Sequence, residues 1–192
     1  MRLPLLPPSS LNDEQKVLYD DMMRVVDGHF GDLVVSRKDG ALIGPFNAWL
    51  HFPQFGRAAW AFNKSMYEHS VLPADIHQII ILVTAAKFGA RYEIYGHEYF
   101  ARQAGVAEDK IATIAAGERP SNLTHAESAA FDMAAALNRG APLPETSYQA
   151  SLDIFGEQGL AEIVFLIGAF SMVAVTLNAF DASVPGREEH LD

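Results

Sequence analysis

Apolar residues along this chain recur mostly at spacings of three and four, the mark of helices that each bury one face. Val17, Leu18, Met22, Val25 and Val26 predict a helix over 11–26. Ser10-x-x-Asp13 before it has the form of a capping box with Asp in the Glu position. The stretch 28–45 carries Gly28, Gly31, Gly40, Gly44 and Pro45 with little periodicity, and reads as a long connection of the functional or interfacial kind. Phe46 to His51 is a short aromatic turn or helix, and Pro53 stands where an N1 proline opens a helix to about His69. Pro73 opens another over 75–87, whose block Ile79-Ile80-Ile81-Leu82-Val83 would also suit a strand. The first-turn Asp75 and the alanines that follow favour the helix. Further helices are predicted over 91–103, 108–116, 126–138, 144–155 and 159–180, with glycines 89, 105, 117 and 140 as stops. Thr124-x-x-Glu127 is a capping box for the helix that begins at Ala126.

The pattern is therefore all-α, about eight helices, and 192 residues are enough for a single domain with its own core. The run Ile163–Phe180 holds no charge, which reaches the lower edge of a membrane span. Glu162 and Asp181 bound it without a Lys/Arg anchor, and Ser171, Thr176 and Asn178 interrupt it, so it reads instead as a helix buried in a domain or an oligomer. The first residues, broken by Pro4, Pro7 and Pro8, read as an extended arm with no signal-peptide core. A soluble cytoplasmic protein is expected, with no membrane partner. A net charge of −10 and a pI near 5.0 argue against nucleic acid. Residues 184–192 are polar and read as an exposed tail or a strap onto a neighbour.

The chain has no cysteine, which excludes disulfides, thiolate metal sites and a Cys nucleophile together. The chemistry must come from elsewhere. Glu93 and His97 stand four apart on one predicted helix, so their Cβ atoms lie about 5–6 Å apart on one face. Gly96 thins that side, and Tyr92, Tyr95 and Tyr99 flank it. A carboxylate beside an imidazole raises the imidazole pKa and lowers its own where water is partly excluded, which makes an acid/base pair. The same spacing also describes a surface ion pair or a core histidine satisfied by a neighbour. The very apolar preceding helix points to an inner face.

Gly44-Pro45-Phe46-Asn47-Ala48-Trp49-Leu50-His51, Ile80–Ala86, Tyr92-Glu93-Ile94-Tyr95-Gly96-His97-Glu98 with Ala104-Gly105-Val106, and Leu177–Phe180 occur in that order. As an ordered set they resemble the carboxymuconolactone decarboxylase family, within the alkylhydroperoxidase D-like superfamily. The resemblance covers about 44–185, with residues 1–43 as an arm and leading helix. It implies the alkylhydroperoxidase D-like helical fold and assembly as a homo-oligomer, a trimer or hexamer. The superfamily's Cys-x-x-Cys-x-x-x-His motif, aligned on His97, falls on Ala90 and Glu93, so thiol peroxidase chemistry is absent. The family's relay glutamate on the preceding helix falls on Gln78, which can hydrogen-bond but cannot trade protons as a carboxyl does.

The resemblance thus implies a lyase-like enzyme acting on a small oxygenated acid or lactone through proton transfer and an enolate. Glu93 and His97 are its catalytic candidates, with His97 as acid and Glu93 as its orienter. Tyr95 or Asn178 would be the oxyanion donor, and Gln78, Trp49, His51 and Asn47 would also bind substrate. Decarboxylation, isomerisation, dehydration and retro-aldol cleavage share these parts. Trp49 and His51 could equally be core packing, and Asn47 a cap. The alternative class is a non-catalytic ligand-binding or structural oligomer, for which Gln78 is the suggestive feature. No cofactor is expected, and no metal: His51, His69, His77 and His97 could converge, but Glu-x-x-x-His is not the Glu-x-x-His of di-iron bundles and no zinc motif occurs. His69 and His77 read as helix-end or polar-face residues, and His125 and His190 as solvated.

Overall fold

The computed structural model describes residues 2–186; residues 187–192, with His190 and most of the predicted tail, lie outside them. Eight α-helices run through the described residues: α1 (Asp13–His29), α2 (Pro45–His51), α3 (Pro53–Glu68), α4 (Ala74–Phe88), α5 (Arg91–Gln103), α6 (Glu108–Ala115), α7 (His125–Leu137) and α8 (Glu145–Ala179). A 3-10 turn at Pro8–Ser10 precedes them. The only β feature among the described residues is one antiparallel bridge, Ser36 to Leu42, inside the long connection. The fold is all-α, as the periodicity predicts.

Two boundaries differ instructively from the sequence reading. The cap of α1 is Asn12, not Ser10: its side chain accepts from the Gln15 amide while Gln15 reaches back to the Asn12 amide. Ser10 instead donates to the Pro7 carbonyl inside the 3-10 turn, 2.8 Å away. The helices read as 144–155 and 159–180 meet end to end as α8, with a break at Gly156, whose φ of 68° only glycine adopts freely. The expected capping box of α7 is present, with Thr124 and Glu127 exchanging bonds.

The described residues divide into two compact units, 2–64 with 176–186, and 65–175. In the first, Phe46, Trp49 and Trp60 form an aromatic nucleus with ring centres 5.9–6.2 Å apart. Trp60 donates to Asp21 at 2.6 Å, which ties α3 to α1. Gly56 lets α3 turn back tightly against α2: a Cβ there would overlap the Trp49 carbonyl oxygen and stand 2.7 Å from two more of its backbone atoms. Backbone cannot rotate aside, so Gly56→Ala is expected to cost about 3 kcal/mol, read as a lowered urea midpoint.

In the second unit α4 is apolar on every side and is buried from Ile76 to Ala85. Helices α5, α6 and α7 pack on it. By length and composition α8 is apolar enough to cross a membrane, yet half of its most apolar window is buried within the protein, as in a core helix.

Candidate functional site

Because α4 is wrapped on all sides, its polar residues His77, Gln78 and Thr84 are carried inside with it. Thr84 and Asn138 satisfy each other at 3.1 Å. The chain leaves α4 through Gly89, in the left-handed conformation, and enters α5 two residues later. So short a turn lays α5 back along α4 with Tyr92, Glu93, Gly96, His97 and Ala101 buried.

His97 lies 2.8 Å from Gln78, Nδ1 to Oε1. An amide oxygen only accepts, so Nδ1 carries the ring hydrogen and Nε2 a lone pair. Phe170 meets the ring edge-on at 4.9 Å and Phe100 lies at 5.7 Å. Burial in this apolar shell, with His77 adding to it, pushes the His97 pKa down to about 3. The sequence reading had the opposite sign. It paired the ring with Glu93, whereas the ring is oriented by Gln78, a neutral partner on the preceding helix.

Glu93 is 3% exposed, and neither carboxyl oxygen has a hydrogen-bond partner in the protein. Burial drives its pKa well above the usual carboxylate range, which favours the neutral acid. The directions expected from spacing are thereby reversed: burial favours the neutral imidazole at His97, with the lone pair on Nε2, and the neutral acid at Glu93.

A second buried imidazole went unrecognised in the sequence. His77 is 4% exposed rather than on a polar face. Its Nδ1 lies 3.3 Å from Glu162 Oε1 and from Ser70 Oγ. Glu162 also accepts from the Val71 and Leu72 amides at 2.7 and 3.2 Å. Burial lowers the His77 pKa, against the opposing pull of Glu162. Tyr67 lies over His77, ring centres 5.3 Å apart, and meets Phe170 edge-on at 6.4 Å. The usable signal was Glu162, an acid at the mouth of an uncharged helix, and a histidine two residues before three isoleucines.

Of the other candidates, Tyr95 is half-buried on α5 with its ring 5.9 Å from Tyr92. Asn47, Trp49, His51 and Asn178 belong to the first unit. There Asn47 accepts from the Leu6 amide and donates to the Pro4 carbonyl, and His51 Nε2 donates to the same carbonyl at 2.8 Å. These two clasp the N-terminal arm, and Trp49 stands in the aromatic nucleus. Asn178 is exposed in the last turn of α8. His69 and His125 are exposed. Among the described residues no three His, Asp or Glu side chains gather as a metal site.

Residues 53–136, the stretch that contains Gln78, Glu93 and His97, match the carboxymuconolactone decarboxylase family. No curated protein matches it significantly. Among solved structures it is similar to an alkylhydroperoxidase AhpD core, a peroxidase-related protein from Ralstonia eutropha, at 15% identity, with 93% of this chain and 88% of that one covered and a TM-score of 0.72. A debrominase, Bmp8, crystallised as a cysteine-to-alanine variant with 2,3,4-tribromopyrrole, gives 16% identity, coverages of 97% and 92%, and a TM-score of 0.72. An AhpD-type protein from Agrobacterium tumefaciens gives 19%, 72% and 96%, and 0.65. These likenesses establish the alkylhydroperoxidase D-like fold. A chain without cysteine cannot use a thiolate as nucleophile or redox group.

Proposed function

We propose that this protein is a lyase-like enzyme that carries a small oxygenated acid or lactone through an enolate by proton transfer. The observation that supports it is Glu93, a carboxyl with both oxygens buried and unpartnered, beside an imidazole held as a neutral base. In decarboxylation the bond to the carboxylate carbon breaks, CO2 leaves, and the electron pair passes into the adjoining carbonyl as an enolate. Glu93 then gives its proton to the carbon and is reprotonated from water. In an isomerisation or dehydration, His97 Nε2 would first take a proton from the carbon beside the carbonyl. Gln78 keeps Nε2 as the basic atom throughout. A proton donor whose pKa has risen toward the working pH suits either course.

The test is incubation with a panel of lactones and keto acids, read by mass spectrometry for loss of CO2 or water, or for an isomerised product. Turnover that disappears in His97→Gln and Glu93→Gln supports the assignment; turnover undiminished in both overturns it. The non-catalytic alternative draws on Gln78, which cannot carry a proton onward. It predicts a closed pocket, or saturable binding with no product.

The enzyme is further proposed to work in the cytoplasm as a homo-oligomer. On α8, Val164, Phe165 and Val175 are exposed on one stripe with Gly168, where a Cβ would meet nothing within 4 Å. An uncharged face with a glycine at its centre suits close contact with the same helix of another copy. Sedimentation at micromolar concentration is expected to show a trimer or hexamer, dissociated by Phe165→Glu. A wild-type monomer would contradict this.

A further inference from the structure

The proton-transfer reading leaves the second imidazole without a task. Glu162 accepts from Ser70 Oγ at 2.5 Å and from two backbone amides, and it faces His77 Nδ1. Ser70 Oγ, having given its hydrogen to Glu162, can only accept from the ring. Both neighbours of Nδ1 are therefore acceptors, and Nδ1 carries the hydrogen. That fixes His77 Nε2 as a lone pair, and Nε2 is buried with no partner in the protein. Buried acceptors are rarely left so, because the desolvation cost is met by nothing.

His77 is not remote from the residues already described. It precedes Gln78 on α4, Tyr67 lies over its ring, and Phe170 meets both Tyr67 and His97 edge-on. Two buried side chains thus present complementary polar atoms without protein partners: an acceptor on His77 and a carboxyl on Glu93. The groups facing them are His97, Tyr67 and Phe170, none of them a cation at neutral pH. A carboxylate ligand would find no positive charge here, and an ether or a bare lactone would leave the His77 acceptor unmet.

We infer that His77, set by Glu162, is a substrate-binding residue whose Nε2 accepts a hydrogen bond from a hydroxyl, so that the site takes an uncharged hydroxylated lactone rather than an open-chain acid. This rests on the proposed function and narrows its substrate class from acid or lactone to hydroxylactone, which has no carboxylate to lose and so leaves the isomerisation and dehydration courses. No covalent step is added: the hydroxyl keeps its hydrogen, and its contact with Nε2 orients the ring toward Glu93 and His97.

The experiment titrates three probes against the full-length protein by NMR: α-hydroxy-γ-butyrolactone, γ-butyrolactone and 4-hydroxybutanoate. The hydroxylactone is expected to bind on the order of tenfold more tightly than the bare lactone, the strength of one hydrogen bond to an otherwise unmet buried acceptor. The open-chain acid is expected to bind least. His77→Asn keeps a donor near the Nδ1 position for Glu162 and deletes Nε2, so it should abolish the preference between the two lactones. Equal binding of the two lactones, or a preference that survives His77→Asn, overturns this inference and leaves the proton-transfer reading standing. Binding of neither lactone overturns both. A readout free of ligand is the ¹⁵N signature of the ring: a His77 with its hydrogen on Nε2 would overturn the inference even if His77→Asn failed to fold.

Discussion

Glu93→Gln is expected to lower turnover by on the order of 10²–10⁴-fold and, in the same protein, to flatten the fall of stability with rising pH. The loss of turnover follows from removing the only carboxyl among the proposed catalytic groups, in a substitution that keeps shape and neutrality. The stability effect follows from linkage. Burial holds the folded-state pKa of Glu93 above its unfolded value, so above about pH 4.5 the unfolded chain ionises this group while the folded protein keeps it protonated. The folded state then binds more protons than the unfolded one, and stability falls as pH rises until the folded-state pKa is passed. Glutamine has no proton to lose. In urea unfolding from pH 5 to pH 8 the variant should therefore gain on the wild type steadily, and any constant packing cost drops out of the comparison. Parallel stability curves would show that Glu93 ionises alike in both states, and its role as a held acid would go with that.

Lys110→Met is expected to destabilise the protein by about 3–5 kcal/mol, or on the order of 10 °C in midpoint. Lys110 reaches both oxygens of Glu127 at 2.7–2.8 Å, and the two side chains are 11% and 7% exposed. Glu127 also accepts from the Thr124 amide at 2.6 Å as part of the α7 capping box. Burial would raise its pKa, but the Lys110 and Thr124 hydrogen bonds prevail and hold it below the ordinary value. Its contribution to stability is thus present above about pH 4.5 and lost as pH falls through the lowered folded-state pKa. Removing the ammonium leaves a buried carboxyl with its cap bond alone, and the loss exceeds that of a surface pair because neither partner has water to fall back on. A midpoint shift no larger than that of Arg102→Met, whose pairs with Glu98 and Glu108 are largely exposed, would show that burial adds nothing here.

How much of this could be read from the sequence depended on how far apart the cooperating residues lie. Helix α5 came out with both bounds as predicted, and the Thr124 box of α7 was recognised, because caps and glycine stops act within a few residues. The placement of Glu93 and His97 on one buried face followed from their spacing. The sign of the His97 pKa shift did not, since that depends on which neighbour the ring reaches. Nothing local reveals that Gln78, nineteen residues earlier, takes Nδ1 and leaves Glu93 without a partner. His77 and Glu162 are separated by 85 positions. Their pairing exists only because the segment before α4 is pinned by a side chain of α8. Asn47 and His51 were singled out for the chemistry of their side chains, yet that chemistry holds Pro4 and Leu6, a use that no periodicity reports. Ser10 lost its expected cap to Asn12 because three prolines turn the arm into a 3-10 turn that needs Ser10 elsewhere.

The protonation of one buried carboxyl decides whether Glu93 can act as a proton donor. Infrared difference spectroscopy between the wild type and Glu93→Gln at pH 7 addresses it directly. The neutral-acid carbonyl band of a carboxylic acid should be present in the wild type, absent in the variant, and shifted by ¹³C-labelling of glutamate. A carboxylate band in its place, at the same pH, would mean that Glu93 is charged beside a neutral His97, and the proton-donor role proposed for it would be wrong.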